Sequence, residues 1–243
     1  WQELLIPILA VVTGLIVGAI VIFVSGDNPF VAYGALFAGS FGTPADYVEG
    51  FKVLFSTGDT AALIKAIYPF TESLVTATPY IFAGLSVALG FRCGLFNIGA
   101  EGQFFIGALC SAFVGYSLKG LPMIVHLPLA ILGGALGGAI WGAIPGYLKA
   151  RFGAHEVVNT IMMNWIAFRL SDWLLSGPMK SSGFRPVTPN VEASAELPRF
   201  FPEPLRFNLG FFLALLAAYL LYWFLFKTTL GFEIRSVGAN PDA

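Results

Sequence analysis

The stretch GLFNIGAEGQ, residues 94–103, decides the fold because it sets three glycines and three polar side chains in an otherwise apolar region. The apolar run that follows, residues 104–118, would form a helix only ~22 Å long. A hydrocarbon core is about 30 Å thick, so a helix that crosses here must include part of the polar stretch. Polar, irregular backbone is tolerated at membrane depth where it is buried in protein or lines a wet cavity. The stretch therefore predicts a discontinuous helix beside a permeation pathway.

The rest of the chain has the composition of a membrane protein. Hydrophobic residues make up 57% of it and charged residues only 11%, whereas soluble domains carry about 25% charged residues. The net charge of -1 at pH 7 gives no basic face for a nucleic acid. We therefore predict an all-α, polytopic transmembrane helical bundle that contacts membrane lipid and has no nucleic-acid partner.

Hydrophobic runs predict six crossings within a single transmembrane domain that fills residues 1–243. The crossings are expected at residues 4–24, 72–91, 97–118, 124–148, 157–176 and 209–226. Each is close to the ~20 apolar residues that a spanning helix needs. The segments 25–65 and 177–208 are rich in proline or charge and are expected outside the membrane, the first with a helix near the interface. Because the chain starts at Trp1 and stops in an unfinished pattern, we expect a fragment.

Five polar side chains on the third and fifth predicted crossings are candidates for a substrate pathway: Asn97, Glu101, Gln103, Asn159 and Asn164. A carboxylate at the bilayer centre costs about 2.5–3.5 kcal/mol, so Glu101 needs a partner, water or a proton. It either lines the route or braces the helix after the break by bonding free backbone amides. Either asparagine of the fifth crossing could bond a neighbouring helix or face a channel, and the sequence leaves this open.

The fourth crossing carries GGALGGAIWGAIPG, residues 133–146, in which glycines recur four residues apart. Small residues at this spacing let helix backbones approach closely, and in lipid such packing replaces the hydrophobic driving force. The contact could lie within one subunit or between two subunits. The pattern alone does not choose between them.

Motifs of enzymes and cofactor sites are missing from this sequence. It contains no HExxH, GxSxG or GxxxxGK[ST] motif. The two cysteines, Cys93 and Cys110, have neither the spacing of a metal site nor that of a disulfide framework. We therefore predict no catalytic residues, no metal and no cofactor, and no ATP hydrolysis by a P-loop of this chain.

Three motifs resemble one family of transport proteins. GLFNIGAEGQFFIGAL (residues 94–109) closely resembles the signature of bacterial ABC-importer permeases of the nucleoside/simple-sugar type, which are relatives of the ribose and branched-chain amino-acid permeases. HEVVNTIMMNWIA (155–167) looks like the start of another crossing of that family, and TTLGFEIRSVGANPDA (228–243) looks like the start of its cytoplasmic coupling segment. The order and separation of the motifs agree with the family across nearly the whole chain.

The resemblance implies a multi-pass subunit of the bacterial inner membrane that works in an ATP-binding-cassette importer. Its partners would be cytoplasmic ATP-binding subunits, a second permease subunit in a homo- or heterodimer, and an extracytoplasmic solute-binding lipoprotein. Nucleosides are the expected solute, and simple sugars or branched-chain amino acids are alternatives within the family. Family members continue with a mirror-related set of spans, so this N-terminal portion is expected to lack a complete pathway.

The resemblance also assigns a coupling segment from residue 227 onward, which would lie in the cytoplasm. By position, the residues that touch the ATPase would be Gly231, Arg235, Gly238, Asn240 and Pro241. Asparagine followed by proline suits the start of a helix. We therefore expect a short rigid element that begins at Asn240, after a flexible Gly238.

Two other classes of function remain open from the residues. An ion-coupled secondary transporter would use Glu101 as a proton or ion site, and its uptake would survive the loss of ATP. An intramembrane enzyme would need a catalytic constellation, which we do not find in this sequence.

Overall fold

The computed structural model describes residues 2–240, and its regular elements in that range are helical, which confirms the all-α bundle. The elements are α1 (Gln2–Val24), α2 (Pro29–Phe41), α3 (Pro44–Thr57), α4 (Ala61–Arg92), α5 (Ala100–Ser117), α6 (Met123–Phe152), α7 (Glu156–Ser176), the 3-10 turn η1 (Ala193–Ala195), α8 (Gly210–Lys227) and α9 (Thr229–Ala239).

Among the described residues, four helices are long and apolar enough to cross a membrane: Leu5–Val24, Ala61–Arg92, Met123–Phe152 and Gly210–Lys227. The crossing predicted at 72–91 lies inside the 32-residue α4, which starts earlier in the chain. The crossings predicted at 97–118 and 157–176 correspond to α5 and α7, of 18 and 21 residues. Polar residues lower the hydropathy of these two helices, so the total of six crossings stays a prediction.

Residues 2–75 and 201–207 form one compact unit. The segment expected to hold one helix near the interface contains two, α2 and α3. Each begins at a proline after a side-chain cap, Asn28 for α2 and Thr43 for α3. Arg206 forms a two-point ion pair with Glu72 of α4, a geometry that fixes orientation as well as distance.

The second unit, residues 76–200 and 208–240, is organised by close contact between α5 and α6. A Cβ atom placed on Gly134 would lie 3.1 Å from the carbonyl oxygen of Gly107, and one on Gly137 would lie 2.5 Å from Cys110 Sγ. The two helices run antiparallel, because later residues of α6 meet earlier residues of α5. The glycine stripe of α6 is therefore used for packing within one chain, the first of the two possibilities that the sequence allowed.

Helix α7 packs against a neighbouring face of α5, runs parallel to it, and also contacts α6, where Trp141 Nε1 donates to Met163 O at 3.3 Å. The buried cluster between them contains Ile106, Leu109, Ala167 and Met179. The ring of Phe105 meets that of Phe168 at a centroid distance of 5.0 Å. These contacts fix the start of α7 beside the start of α5, where the polar residues of the sequence motif lie.

The coupling segment differs from the expectation. Thr228 caps α9 by accepting a hydrogen bond from the Gly231 N–H at 3.0 Å. Gly238 lies inside this helix and is not a flexible joint, and Asn240 is the residue at its C-terminal end, where its N–H bonds Ser236 O. A helix that starts at Asn240 would occupy residues 241–243, which lie outside the described residues, so this part of the expectation stays a prediction.

Candidate functional site

The polar stretch forms a tight connection between the helices α4 and α5. At the end of α4 the Leu95 N–H bonds Gly90 O at 2.8 Å, and Gly94 adopts φ +72°, a left-handed conformation that favours glycine. The chain then turns back, so that Asn97 lies against Gly90. The helix expected from residue 97 begins at Ala100 and includes Glu101 and Gln103. The discontinuity predicted within the crossing 97–118 is therefore a connection, residues 93–99, between α4 and α5, and α5 itself is continuous from Ala100 to Ser117.

Asn164 of α7 fixes this connection through two hydrogen bonds of its side chain. Its Oδ1 accepts a hydrogen bond from the Gly102 N–H at 2.8 Å, and its Nδ2 donates to Ile98 O at 3.0 Å. The Gly102 N–H belongs to the first turn of α5, where backbone donors have no partner inside the helix. Asn97 acts similarly, because its Oδ1 accepts the Gly99 N–H at 2.9 Å. Two asparagines therefore brace the start of α5.

A cavity of about 220 Å³ opens at this connection. Its wall is built from the end of α4, the connection itself, the start of α5, the glycine-rich part of α6 and the start of α7. The polar side chains in the wall are Ser86, Asn97, Gln103, Glu156 and Thr160. Ser86 Oγ donates to Gln103 Oε1 at 2.9 Å. The absence of a side chain at Gly142 leaves room for the Gln103 amide, whose Nε2 lies 2.7 Å from where a Cβ would be.

The carboxylate of this cavity is paired with a lysine. Lys149 Nζ lies 2.8 Å from Glu156 Oε1 and also donates to Gly94 O at 2.8 Å. The hydrogen bond from Lys149 lowers the pKa of Glu156, which precedes the predicted crossing 157–176 by one residue. Glu156 therefore stays ionised and neutralised at neutral pH. The cavity wall thus offers hydroxyl and amide groups without a net charge.

Cys93 also lines the cavity, and burial raises the pKa of its thiol. A raised pKa keeps the sulfur protonated and slow to react at neutral pH. Cys110 lies elsewhere, packed between α5 and α6 against Gly137. The two native cysteines therefore report on different parts of the fold.

The five residues expected along a pathway occupy different places. Asn97 and Gln103 line the cavity, whereas Asn164 is buried behind the connection. Glu101 is exposed on the first turn of α5 and makes no hydrogen bond or ion pair with residues 2–240, so it does not brace the break. The Nδ2 of Asn159 is buried and finds no hydrogen-bond partner in the described part of the chain. The expected set is therefore split between cavity, scaffold and outer surface.

Sequence reasoning missed the contributions of Ser86, Thr160 and Lys149. Ser86 and Thr160 each lie within an apolar helix, where one hydroxyl gives no motif. Lys149 lies near the end of α6, and Glu156 lies seven residues later at the start of α7. The short connection between these helices was the signal from which their ion pair could have been predicted.

Three of the coupling residues assigned by resemblance, Gly231, Arg235 and Gly238, face the chain itself, whereas Asn240 is exposed. A Cβ on Gly231 would fall 2.6 Å from Leu225 O, and the guanidinium of Arg235 lies 4.9 Å from the ring centroid of Phe226. Arg92 from the end of α4 reaches the same ring at 5.5 Å. The exposed apolar side chains of α9 are different ones, Leu230, Phe232 and Val237.

The sequence model of the family described as "Branched-chain amino acid transport system / permease component" matches residues 70–243. The chain belongs to this family of permease components. The match begins within α4 and covers the connection, the cavity and α9. It confirms the family suggested by the sequence motifs, and together with the long apolar helices it makes this permease a multi-pass membrane protein.

Curated relatives match this permease over its whole length. The guanosine ABC transporter permease protein NupP of Bacillus subtilis is 39% identical, with 100% of this chain and 63% of the relative covered. The nucleoside ABC transporter permease protein NupB of Lactococcus lactis is 32% identical, covering 100% of this chain and 62% of the relative. The glucose ABC transporter permease protein TsgB13 of Haloferax volcanii is 31% identical, covering 100% and 60%.

The chain therefore spans less than two thirds of the length of these relatives. No solved structure gives a significant match to it.

Proposed function

We propose that this permease is the membrane-spanning subunit of an ATP-binding-cassette importer that moves nucleosides across the bacterial inner membrane. The proposal is supported by similarity along the whole chain to permeases named for guanosine and nucleoside transport. The observation that carries it is the cavity at the α4–α5 connection, whose polar side chains present hydroxyl, amide and ion-paired groups. Such a wall suits an uncharged polar solute better than an ion.

The cavity residues have distinct roles in this proposal. Ser86, Asn97, Gln103 and Thr160 would exchange hydrogen bonds with the hydroxyl and base edges of a nucleoside. Phe96 also lines the cavity, with its ring held edge-on by Phe91 at 5.1 Å. Stacking of a base on an aromatic ring is worth about 1–3 kcal/mol. An aromatic face beside amide groups therefore favours a nucleoside over a simple sugar.

ATP hydrolysis would occur on separate cytoplasmic subunits, and α9 would be the element that touches them. Since Gly231, Arg235 and Gly238 face the chain, the contact surface would be the exposed side of α9, which carries Leu230 and Val237. Gly231, Arg235 and Gly238 would fix the orientation of α9 by their contacts with the rest of the chain. A second permease subunit would complete the pathway.

The solute-binding lipoprotein would dock on the segments 25–65 and 177–208. The second segment is anchored by His126, a buried residue whose Nδ1 lies 2.7 Å from Ser194 Oγ and whose Nε2 lies 3.2 Å from Val114 O. The Glu192 N–H also bonds Gly115 O at 2.9 Å. A docking loop held in this way would keep its shape before the lipoprotein arrives.

Replacing His126 by alanine is expected to loosen the segment 177–208, because it removes the side chain that bonds both Ser194 and the end of α5. Limited proteolysis of the purified full-length protein should cut this segment several-fold faster than in the wild type. His155 is exposed and is the matched control. Equal cleavage of the His126→Ala and His155→Ala proteins would show that the histidine does not hold the loop.

Replacing Gln103 by leucine is expected to reduce guanosine uptake at least about tenfold, corresponding to roughly 1.4 kcal/mol of lost interaction. The substitution keeps the size of the side chain but removes its amide from the cavity. Uptake of labelled guanosine would be measured in cells that express the full-length permease with its partner subunits. Amounts of membrane-inserted protein would be compared in parallel.

Glu101→Gln is the comparison variant, because Glu101 lies two residues away and outside the cavity wall. A larger loss of uptake from Glu101→Gln than from Gln103→Leu would contradict the cavity as the route. Uptake that persists after ATP depletion but collapses with the proton gradient would instead favour an ion-coupled transporter that uses Glu101.

Glucose is a second candidate solute, because one relative of similar identity is named as a glucose permease. Competition decides between them: excess unlabelled guanosine should abolish guanosine uptake, and excess glucose should leave it unchanged. Strong competition by glucose would move the assignment to a sugar.

A further inference from the structure

Helix α9 touches the α4–α5 connection through two glycines. A Cβ on Gly238 would lie 2.9 Å from the carbonyl carbons of Arg92 and Cys93, closer than side chains normally approach. A Cβ on Gly94 would lie 3.0 Å from Gly238 O and 3.2 Å from Gly238 Cα. The two backbones are therefore in direct contact, which is possible because neither residue has a side chain.

The same connection is also bonded by Lys149 of α6. Its Nζ donates to Gly94 O and pairs with Glu156, each at 2.8 Å. Glu156 and Cys93 both lie in the cavity wall. The end of α9, the connection and the adjoining ends of α6 and α7 are thus linked by contacts that meet at Gly94.

Helix α9 is itself firmly attached at its start. Thr228 Oγ1 donates to Phe224 O at 2.6 Å and accepts the Gly231 N–H at 3.0 Å. Gly231 is buried against the last turn of α8, and Arg235 lies over Phe226. A force on the exposed side of α9 would therefore move its far end, at Gly238, as part of a rigid helix.

We propose that the Gly94–Gly238 contact is the joint through which displacement of α9 moves the cavity wall at residues 93–97. Gly94, Gly238 and Lys149 act as positioning residues: they carry the movement and do not touch the solute. This inference rests on the proposed function, because it takes α9 as the element moved by the ATP-binding subunits.

Native Cys93 allows a direct test, because it lies in the cavity wall and next to Gly238. The full-length permease, assembled with its partner subunits, would be treated with a maleimide at pH 8, and modification of Cys93 followed by peptide mass spectrometry. Cys110→Ser would be present throughout. In the otherwise unaltered protein the rate should differ at least about fivefold between nucleotide-free and ATP-analogue-bound complexes, within the usual range of coupling between sites.

Gly238→Val should separate the backbones and abolish this dependence on nucleotide. Gly84→Val is the matched control, since a Cβ there meets nothing within 4 Å, and it should keep the dependence. Lys149→Met is a second variant that leaves α9 unchanged and removes the bond to Gly94 O; it should reduce the dependence several-fold. If Gly238→Val fails to assemble, Lys149→Met decides the question.

The proposed joint would be overturned if the rate of Cys93 modification in Gly238→Val depended on nucleotide as strongly as in the wild type. If Gly238→Val fails to assemble, the same result in Lys149→Met would overturn it. The solute assignment is tested separately. The wild type could take up no nucleoside while its rate of Cys93 modification still depends on nucleotide and loses that dependence in Gly238→Val. This result would support the joint and contradict the proposed solute. If uptake is normal and all variants respond like the wild type, the solute stands and the joint falls.

Discussion

Replacing Asn164 by leucine is expected to destabilise this permease more than most single changes in the chain. The Gly102 N–H is buried and donates its hydrogen bond to Oδ1 of Asn164. Leaving one buried donor without a partner costs about 1–3 kcal/mol, and the lost bond to Ile98 O adds to it. The start of α5 should loosen, and the apparent Tm of the full-length protein in detergent should fall by several degrees.

Asn159→Leu is the matched control on the same helix, five residues earlier. Its Nδ2 is buried without a partner among the described residues, so the change removes no hydrogen bond there. We expect its Tm to stay the same or rise. Equal losses from the two variants would show that Asn164 contributes by packing and not as a brace for the connection.

Replacing Gly134 by valine is the second change with a large expected effect. The new side chain would meet the Gly107 carbonyl oxygen and Ser111 on α5, where the backbones are already in contact. Overpacking of this kind typically costs 1–3 kcal/mol. The measurement is the yield of folded, monodisperse protein together with its thermal unfolding in detergent.

Gly84→Val carries the same chemical change to a helix position with open space around it. Because both variants bear the same helix-propensity cost of a β-branched residue, their difference isolates the contact between α5 and α6. If Gly134→Val kept its stability but lost only the association of two subunits, the glycine stripe would be an intersubunit surface and our assignment would be wrong.

The position of the connection between α4 and α5 could be predicted, although it was expected as a break within the crossing 97–118, because its signal is local. Gly94 at positive φ, the short apolar run after Gln103 and the neighbouring polar groups all belong to one continuous stretch. Because the rise per residue of a helix is fixed, the length of the apolar run and the composition of the polar stretch locate the interruption to within a few residues. The family could also be identified from this stretch and two further motifs.

The roles of the polar side chains could not be predicted, because they depend on which helix faces which. Glu101 and Gln103 are two residues apart, yet one is exposed and the other meets Ser86 and Gly142 from two other helices. Asn159 and Asn164 looked equivalent on α7, and only the position of α5 makes one of them a brace. Gly238 looked like a flexible hinge until α9 placed it against Arg92 and Cys93.

By itself, then, the sequence determined an α-helical membrane permease with a polar interruption within residues 94–103, because helix length, hydropathy and glycine conformation act along the chain. The tertiary structure alone decided that Gln103, Ser86 and Thr160 share one cavity, and that Gly94 meets Gly238. These contacts join residues far apart in the chain through helix packing, and packing depends on the shapes of all the surfaces that meet.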